Sequence, residues 1–102
     1  MNWVDAGPDE LVEGEYLTAD LSGGEALVYK LNGEYLAVAN VCSHDGGEIA
    51  GGLVADGQIE CPRHGARFCL RTGAALCAPA YEGIQVYPVR VGEGRIWVGD
   101  GY

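Results

Sequence analysis

The sequence predicts an all-β chain, and three observations carry that prediction. Seventeen glycines are spread over 102 residues without a fixed period, so they act as punctuation that cuts the chain into short segments. The segments between them alternate polar with apolar residues or favour β-branched and aromatic side chains, which suits a pleated, half-buried strand. Asn32-Gly33 stands between two such runs, and Asn-Gly readily supplies the positive φ angles of a type I′ hairpin turn. Asp56-Gly57 is a second signal of the same kind. Many short strands joined by turn-rich links point to antiparallel sheets packed as a sandwich or a barrel.

In chain order, the first expected element is a single helical turn over residues 8–12. Pro8 suits the first position of a helix, and Glu10, Leu11 and Val12 can follow it. Strands are expected over residues 26–31, 35–41, 58–61, 66–70, 84–91 and 95–98, with the Asn32-Gly33 turn joining the first two. Gly23-Gly24, Thr72-Gly73 and Gly92-Glu93-Gly94 mark further breaks. There is no repeat, linker or low-complexity stretch. A chain of this length supports one domain with a modest core, so residues 1–102 are read as a single domain.

Charge narrows the function classes. Fifteen acidic residues against six basic ones give a formal net charge of -9, which repels phosphate backbones and anionic headgroups; nucleic acid and membrane surfaces are therefore excluded as expected partners. An acidic surface favours rapid, transient docking on a basic patch of another protein. The start, Met1-Asn2-Trp3-Val4-Asp5, lacks a basic segment followed by an apolar one, and no apolar run approaches the roughly 18 residues of a membrane span. The expected location is cytoplasmic. In that compartment four cysteines point to metal binding or redox chemistry more than to a disulfide framework.

The residues that carry chemistry are Cys42-Ser43-His44 and Cys61-Pro62-Arg63-His64, a C-x-H and a C-x-x-H separated by 16 residues. They include both histidines of the chain. Each histidine falls close behind a cysteine at the end of a strand-like run, so two short loops can each bring one thiolate and one imidazole to a compact site. Residues two apart in an extended segment point to the same side, so Cys42 and His44 need no helix to converge. Gly46-Gly47 and Gly65 allow the backbone to come close and turn its N–H groups inward. A closed zinc site is the structural alternative, because two cysteines and two histidines also make a tetrahedron; the usual zinc spacing, however, pairs like with like. A further alternative makes the histidines polar loop residues and the cysteines buried hydrophobes.

The two loops, continuing through Gly65-Ala66-Arg67-Phe68 and Arg71-Thr72-Gly73, resemble the Rieske family. Asn40-Val41-Cys42-Ser43-His44, Pro79-Ala80-Tyr81 and Tyr87-Pro88-Val89 are especially similar to the ferredoxins that feed bacterial ring-hydroxylating dioxygenases. The resemblance implies one [2Fe-2S] cluster, with Cys42 and Cys61 on the inner iron and His44 and His64 on the outer one. It implies a fold of three stacked antiparallel sheets with a two-loop cluster-binding subdomain at about residues 40–80, covered on a third side by Cys77-Ala78-Pro79-Ala80. The implied role is one-electron transfer from a flavin-dependent reductase to an oxygenase or other iron protein, without a small-molecule substrate and without catalysis by the chain alone. Related alternatives are the Rieske-like small subunit of nitrite reductases, which often lacks the ligands, and a redox sensor or accessory of iron–sulfur assembly. An oxygenase would need a mononuclear iron on two further histidines and a carboxylate.

Departures from the family pattern bear on potential. Rieske proteins of cytochrome bc complexes join the loops by a disulfide, but Gly47 and Arg63 occupy the matching places; Ala66 and Phe68 stand where high-potential members carry a hydroxyl toward the cluster. Replacing two thiolates by neutral imidazoles brings the formal charge of the oxidised centre to about zero, which raises the potential, while fewer hydrogen bonds to sulfur lower it. The expected value is at the low end of the Rieske range, about -150 mV, falling at alkaline pH as the imidazoles lose protons. Cys69 and Cys77 are expected as small core hydrophobes, with a disulfide across the Thr72-Gly73 turn left open. Asp45 is expected as a solvated loop carboxylate, with tuning of the outer iron or contact with a basic partner as the alternative, and the aromatics from Trp3 to Tyr102 as packing residues.

Overall fold

The computed structural model describes residues 2–100. Met1, which heads the segment read for a leader, and Tyr102 of the aromatic set lie outside them. Ten strands follow in order: β1 (Trp3–Pro8), β2 (Tyr16–Leu21), β3 (Gly24–Leu31), β4 (Glu34–Ala39), β5 (Val54–Ala55), β6 (Gln58–Glu60), β7 (Arg67–Cys69), β8 (Val86–Tyr87), β9 (Val89–Gly92) and β10 (Arg95–Gly99). They pair antiparallel into three sheets, β1-β10-β9, β2-β3-β4-β8 and β5-β6-β7. The turn residues account for the hairpins: Asn32-Gly33, Asp56-Gly57 and Glu93-Gly94 all have both φ angles positive, between 51° and 78°, as a type I′ turn requires.

The order of the sheets follows from β3. Four consecutive residues, Ala26 to Tyr29, are buried, whereas a strand covered on one face buries alternate residues. Ala26 and Val28 pack with Ala19, Ala37, Ile96 and Val98, toward the β1-β10-β9 sheet. Leu27 and Tyr29 point the other way and pack with Ile59 and Phe68 of the β5-β6-β7 sheet. The four-stranded sheet is thus the middle of three layers, with alanines on one face and larger side chains on the other. Cys42 and Cys61 belong to the second of these cores, so the loops that carry them grow directly from packed apolar structure.

Three expectations are corrected. Residues 8–12 form no helical turn: Pro8 ends β1, the Asp9 amide donates to the Gly94 carbonyl at 2.9 Å and Glu10 donates to Pro8 at 2.8 Å, so the backbone groups a helix would use are taken by the strand end. The run 84–91 is cut into β8 and β9 at Pro88, which has no N–H for a ladder. Cys69 and Cys77 are free, the first partly exposed and the second exposed, and neither is a core residue. The ladder sets Phe68 against Ala75 and Arg67 against Leu76, which places Cys77 beside residue 66. At about 3.3 Å per residue the two cysteines are about 10 Å apart along the hairpin, beyond the reach of a disulfide. Strands β1, β2 and β5 had no counterpart in the expected set.

Candidate metal centre

The two donor loops share one backbone pattern. In the first, the Cys42 amide donates to the Gly47 carbonyl and the Gly46 amide donates back to the Cys42 carbonyl, both at 2.7 Å. In the second, the Cys61 amide donates to Ala66 at 2.7 Å and Gly65 donates back to Cys61 at 3.1 Å. In each case the fourth residue after the cysteine is a glycine with positive φ, 74° at Gly46 and 76° at Gly65, a conformation that other residues adopt only with strain. The loops therefore close on themselves and present their cysteines at equivalent points. Asn40 closes the base of the first loop, for its side-chain oxygen accepts the amides of Ile49 at 2.9 Å and Ala50 at 3.0 Å.

The four expected donors lie in two pairs, a thiol pair and an imidazole pair. Cys42 and Cys61 are 0% and 1% exposed, at the floor of the site. Burial pushes the Cys42 thiol up, the N–H groups of His44 and Asp45 pull it back, and the neighbouring Cys61 thiol raises it again. His44 and His64 are exposed, with ring centroids 4.8 Å apart and planes at 85°. A third segment closes the side: the Ser43 hydroxyl donates to the Glu82 carbonyl and the Cys77 thiol reaches the Gly65 carbonyl at 3.6 Å. The family resemblance implied a cover by residues 77–80, of which Cys77 makes the contact named here.

Asp45 is the residue whose part the sequence reading missed. Its carboxylate accepts the Arg63 Nε at 2.7 Å and the other Arg63 nitrogen at 3.0 Å, accepts the Gly47 amide at 2.9 Å, and lies 2.7 Å from His64 Nε2. The Arg63 guanidinium, more than any other neighbour, holds this carboxyl well below the usual carboxylate range. Asp45 is therefore a bound anion between the loops, and not a free loop carboxylate.

Two metal readings of this geometry differ from a dinuclear cluster, and both fit poorly. Among the described residues, potential ligand atoms of His44, Asp45 and His64 lie within 4.8 Å of one another, nominally two histidines and a carboxylate for a mononuclear iron. Both carboxylate oxygens, however, are already held by the guanidinium. A single tetrahedral zinc would draw two sulfurs and two ring nitrogens around one point, whereas here the thiols are buried as one pair and the imidazoles exposed as another. Two buried thiols side by side and two exposed imidazoles side by side fit two metal ions, one with sulfur donors and one with nitrogen donors, as in a Rieske centre.

Comparison with known proteins gives the family. The Rieske [2Fe-2S] domain model matches residues 2–88. The 3-phenylpropionate/cinnamic acid dioxygenase ferredoxin subunit of Shigella flexneri serotype 5b (strain 8401) is 42% identical over 100 residues, spanning 96% of this chain and 93% of that one. Among solved structures, the ferredoxin of carbazole 1,9a-dioxygenase from Nocardioides aromaticivorans IC177 superposes with a TM-score of 0.84 at 32% identity, covering 94% of each chain. A putative NADH-dependent nitrite reductase small subunit from Mycobacterium tuberculosis superposes with a TM-score of 0.82 at 30% identity, covering 95% of this chain and 93% of that one. The chain belongs to the Rieske [2Fe-2S] domain family. It is an electron-transfer component of the ferredoxin kind, using one [2Fe-2S] cluster, and not a catalyst on its own. No helix among the described residues is long and apolar enough to cross a membrane.

Proposed function

We propose that Cys42, His44, Cys61 and His64 hold the cluster, within a single domain whose cluster-binding part spans about residues 40–80, and that the protein passes single electrons in the cytoplasm from a flavin-dependent reductase to the terminal oxygenase of a ring-hydroxylating system. The observation that carries this reading is the division of the donors into a buried thiol pair and an exposed imidazole pair on two matching loops. When bound, the cluster supplies a one-electron couple. The chain's own residues supply the rest. Cys42 and Cys61 keep one side of the site out of water; that burial raises the Cys42 thiol, and the amides of His44 and Asp45, which donate to its sulfur, partly offset the rise. His44 and His64 form the exposed edge, which is the short path to a partner. Asp45 fixes the His64 ring through Nε2, leaving Nδ1 for a metal.

The choice of partner is supported by surface charge. All six basic side chains are engaged within the molecule: Arg63, Arg67, Arg71 and Arg95 pair with Asp45, Glu60, Glu34 and Asp5, while Arg90 and Lys30 lie over the rings of Trp3 and Tyr35. The unpaired surplus is acidic and suits a partner with a basic rim. The relatives named for dioxygenase systems favour an oxygenase as acceptor, and retention of all four donors counts against a ligand-free nitrite reductase subunit. The test is reconstitution with a flavin-dependent reductase and a ring-hydroxylating oxygenase. Oxygenase turnover that requires this protein, and is lost in His64→Ala, is the expected result; turnover supported equally by His64→Ala would refute the assignment.

A further inference from the structure

Besides the contacts of their histidines, the two loops are joined by Arg63, a side chain that is not itself a proposed donor. Arg63, in the second loop, directs Nε and one terminal nitrogen to the two carboxylate oxygens of Asp45 in the first, at 2.7 and 3.0 Å. Its remaining nitrogen donates to the Glu48 carbonyl at 2.6 Å, further along the first loop. A planar guanidinium thus makes three bonds to one loop from the other, a bidentate fork plus a backbone anchor, in the geometry that gives such pairs directionality. The contact is built into the backbone opposite it. A Cβ placed on Gly47 would lie 2.6 Å from an Arg63 nitrogen and 2.7 Å from Cζ, closer than real atoms approach, so the guanidinium occupies the space that the missing side chain leaves. The same carboxylate that receives the fork faces His64 Nε2 at 2.7 Å.

We propose that Arg63 is a positioning residue, a non-covalent cross-link that locks the two donor loops together through Asp45 and thereby holds the His64 ring in place. The pair is only partly exposed, with side-chain exposures of 39% for Arg63 and 24% for Asp45, yet an isolated surface ion pair contributes little to global stability. The effect is therefore local: the cross-link limits opening of the loops, and so the escape of whatever they hold, without setting the stability of the sheets. Gly47 is the matching half of the device, since any side chain there displaces the guanidinium.

This inference rests on the assignment of the four donors, and the experiment separates the two. Arg63→Gln and Gly47→Ala, which weaken the contact from opposite loops, are compared with the unsubstituted holoprotein by hydrogen exchange and by the rate at which an iron chelator bleaches the visible absorption. Expected are faster exchange in peptides covering 42–50 and 61–66, unchanged exchange in β3 and β10, and cluster loss about tenfold faster, the lower end of what removing a partner of a metal-bound histidine costs. Arg63→Lys, which keeps the charge but not the fork, should fall between. The proposal is overturned by unsubstituted exchange and release rates in both variants, by full retention of function in Arg63→Lys, or by acceleration that spreads equally to β3 and β10. An unsubstituted protein with no iron–sulfur absorption defeats the donor assignment instead, and loop exchange then still decides whether the cross-link exists.

Discussion

Asn40 lies two residues before the first cysteine and bears much of the first loop's order. Its side-chain amide donates to Glu25 at 2.6 Å while its oxygen takes the amides of Ile49 and Ala50. Asn40→Ala removes the acceptor for two part-buried N–H groups at once. Each such group left unsatisfied costs roughly 1–3 kcal/mol, so denaturant unfolding should show a loss of that order or somewhat more, with the slope unchanged. Ala66 and Phe68, both fully buried against the site, offer no hydroxyl to the cluster sulfurs. Voltammetry should accordingly place the potential near the low end of the family range, about -150 mV, and Ala66→Ser should raise it if the added hydroxyl reaches a sulfur. The two loops that carry the four proposed donors were legible in the sequence because each is short and holds its cysteine and histidine within four residues. The partnership of Asp45 with Arg63 was not, because it spans 18 residues and depends on a guanidinium fitting over Gly47.

At the scale of elements, the middle sheet joins the two cores, and the sheets packed on its faces supply side chains that fill them. Phe68, at the centre of the core beneath the cysteines, is fully buried; Phe68→Ala should destabilise the protein by about 3–5 kcal/mol in denaturant unfolding. Two tyrosines bound the alkaline limit. Burial, aided by Tyr16, pushes the Tyr29 hydroxyl up to about 12, and the hydrogen bond to Asp9, with some burial, does the same for Tyr35. An unfolded tyrosine ionises near about 10. The folded state therefore binds these protons more tightly: their contribution to stability is complete below pH 10 and is lost as pH rises to about 12. Unfolding followed across that window should show declining stability, with tyrosinate absorption from these two residues arriving last; ionisation of all tyrosines together near their ordinary value would contradict the packing. Strand β2 was readable in retrospect, since Leu17, Ala19 and Leu21 alternate inward. β1 was not, because Gly7-Pro8 suggests a break and a register shift between Asp5 and Gly7 hides the alternation. The helical turn at 8–12 failed for the reciprocal reason, as local preference there gives way to pairing with β10.

The molecule combines an apolar floor, an exposed imidazole edge and, among the described residues, basic side chains that are all engaged internally. With a net charge of -9, association with an electron-transfer partner should be steered by charge, so the second-order rate should fall as salt rises, by about tenfold or more. A rate insensitive to salt would remove charge as the selector of partner. Composition made this property legible, whereas the three-layer stacking was visible only by resemblance. It depends on β3 burying both faces, and the run of apolar residues from Ala26 to Tyr29 does not by itself say what covers each face.

The central claim, a two-iron centre held by two thiolates and two imidazoles, is tested most directly by absorption and low-temperature electron paramagnetic resonance of the purified protein before and after dithionite, with iron and sulfide analysis. The account predicts two irons and two sulfides per chain, visible absorption that bleaches on reduction, and a reduced signal whose average g value lies below that of an all-cysteine cluster. A colourless protein with stoichiometric zinc after anaerobic preparation, or a reduced signal of the all-cysteine type, would contradict it.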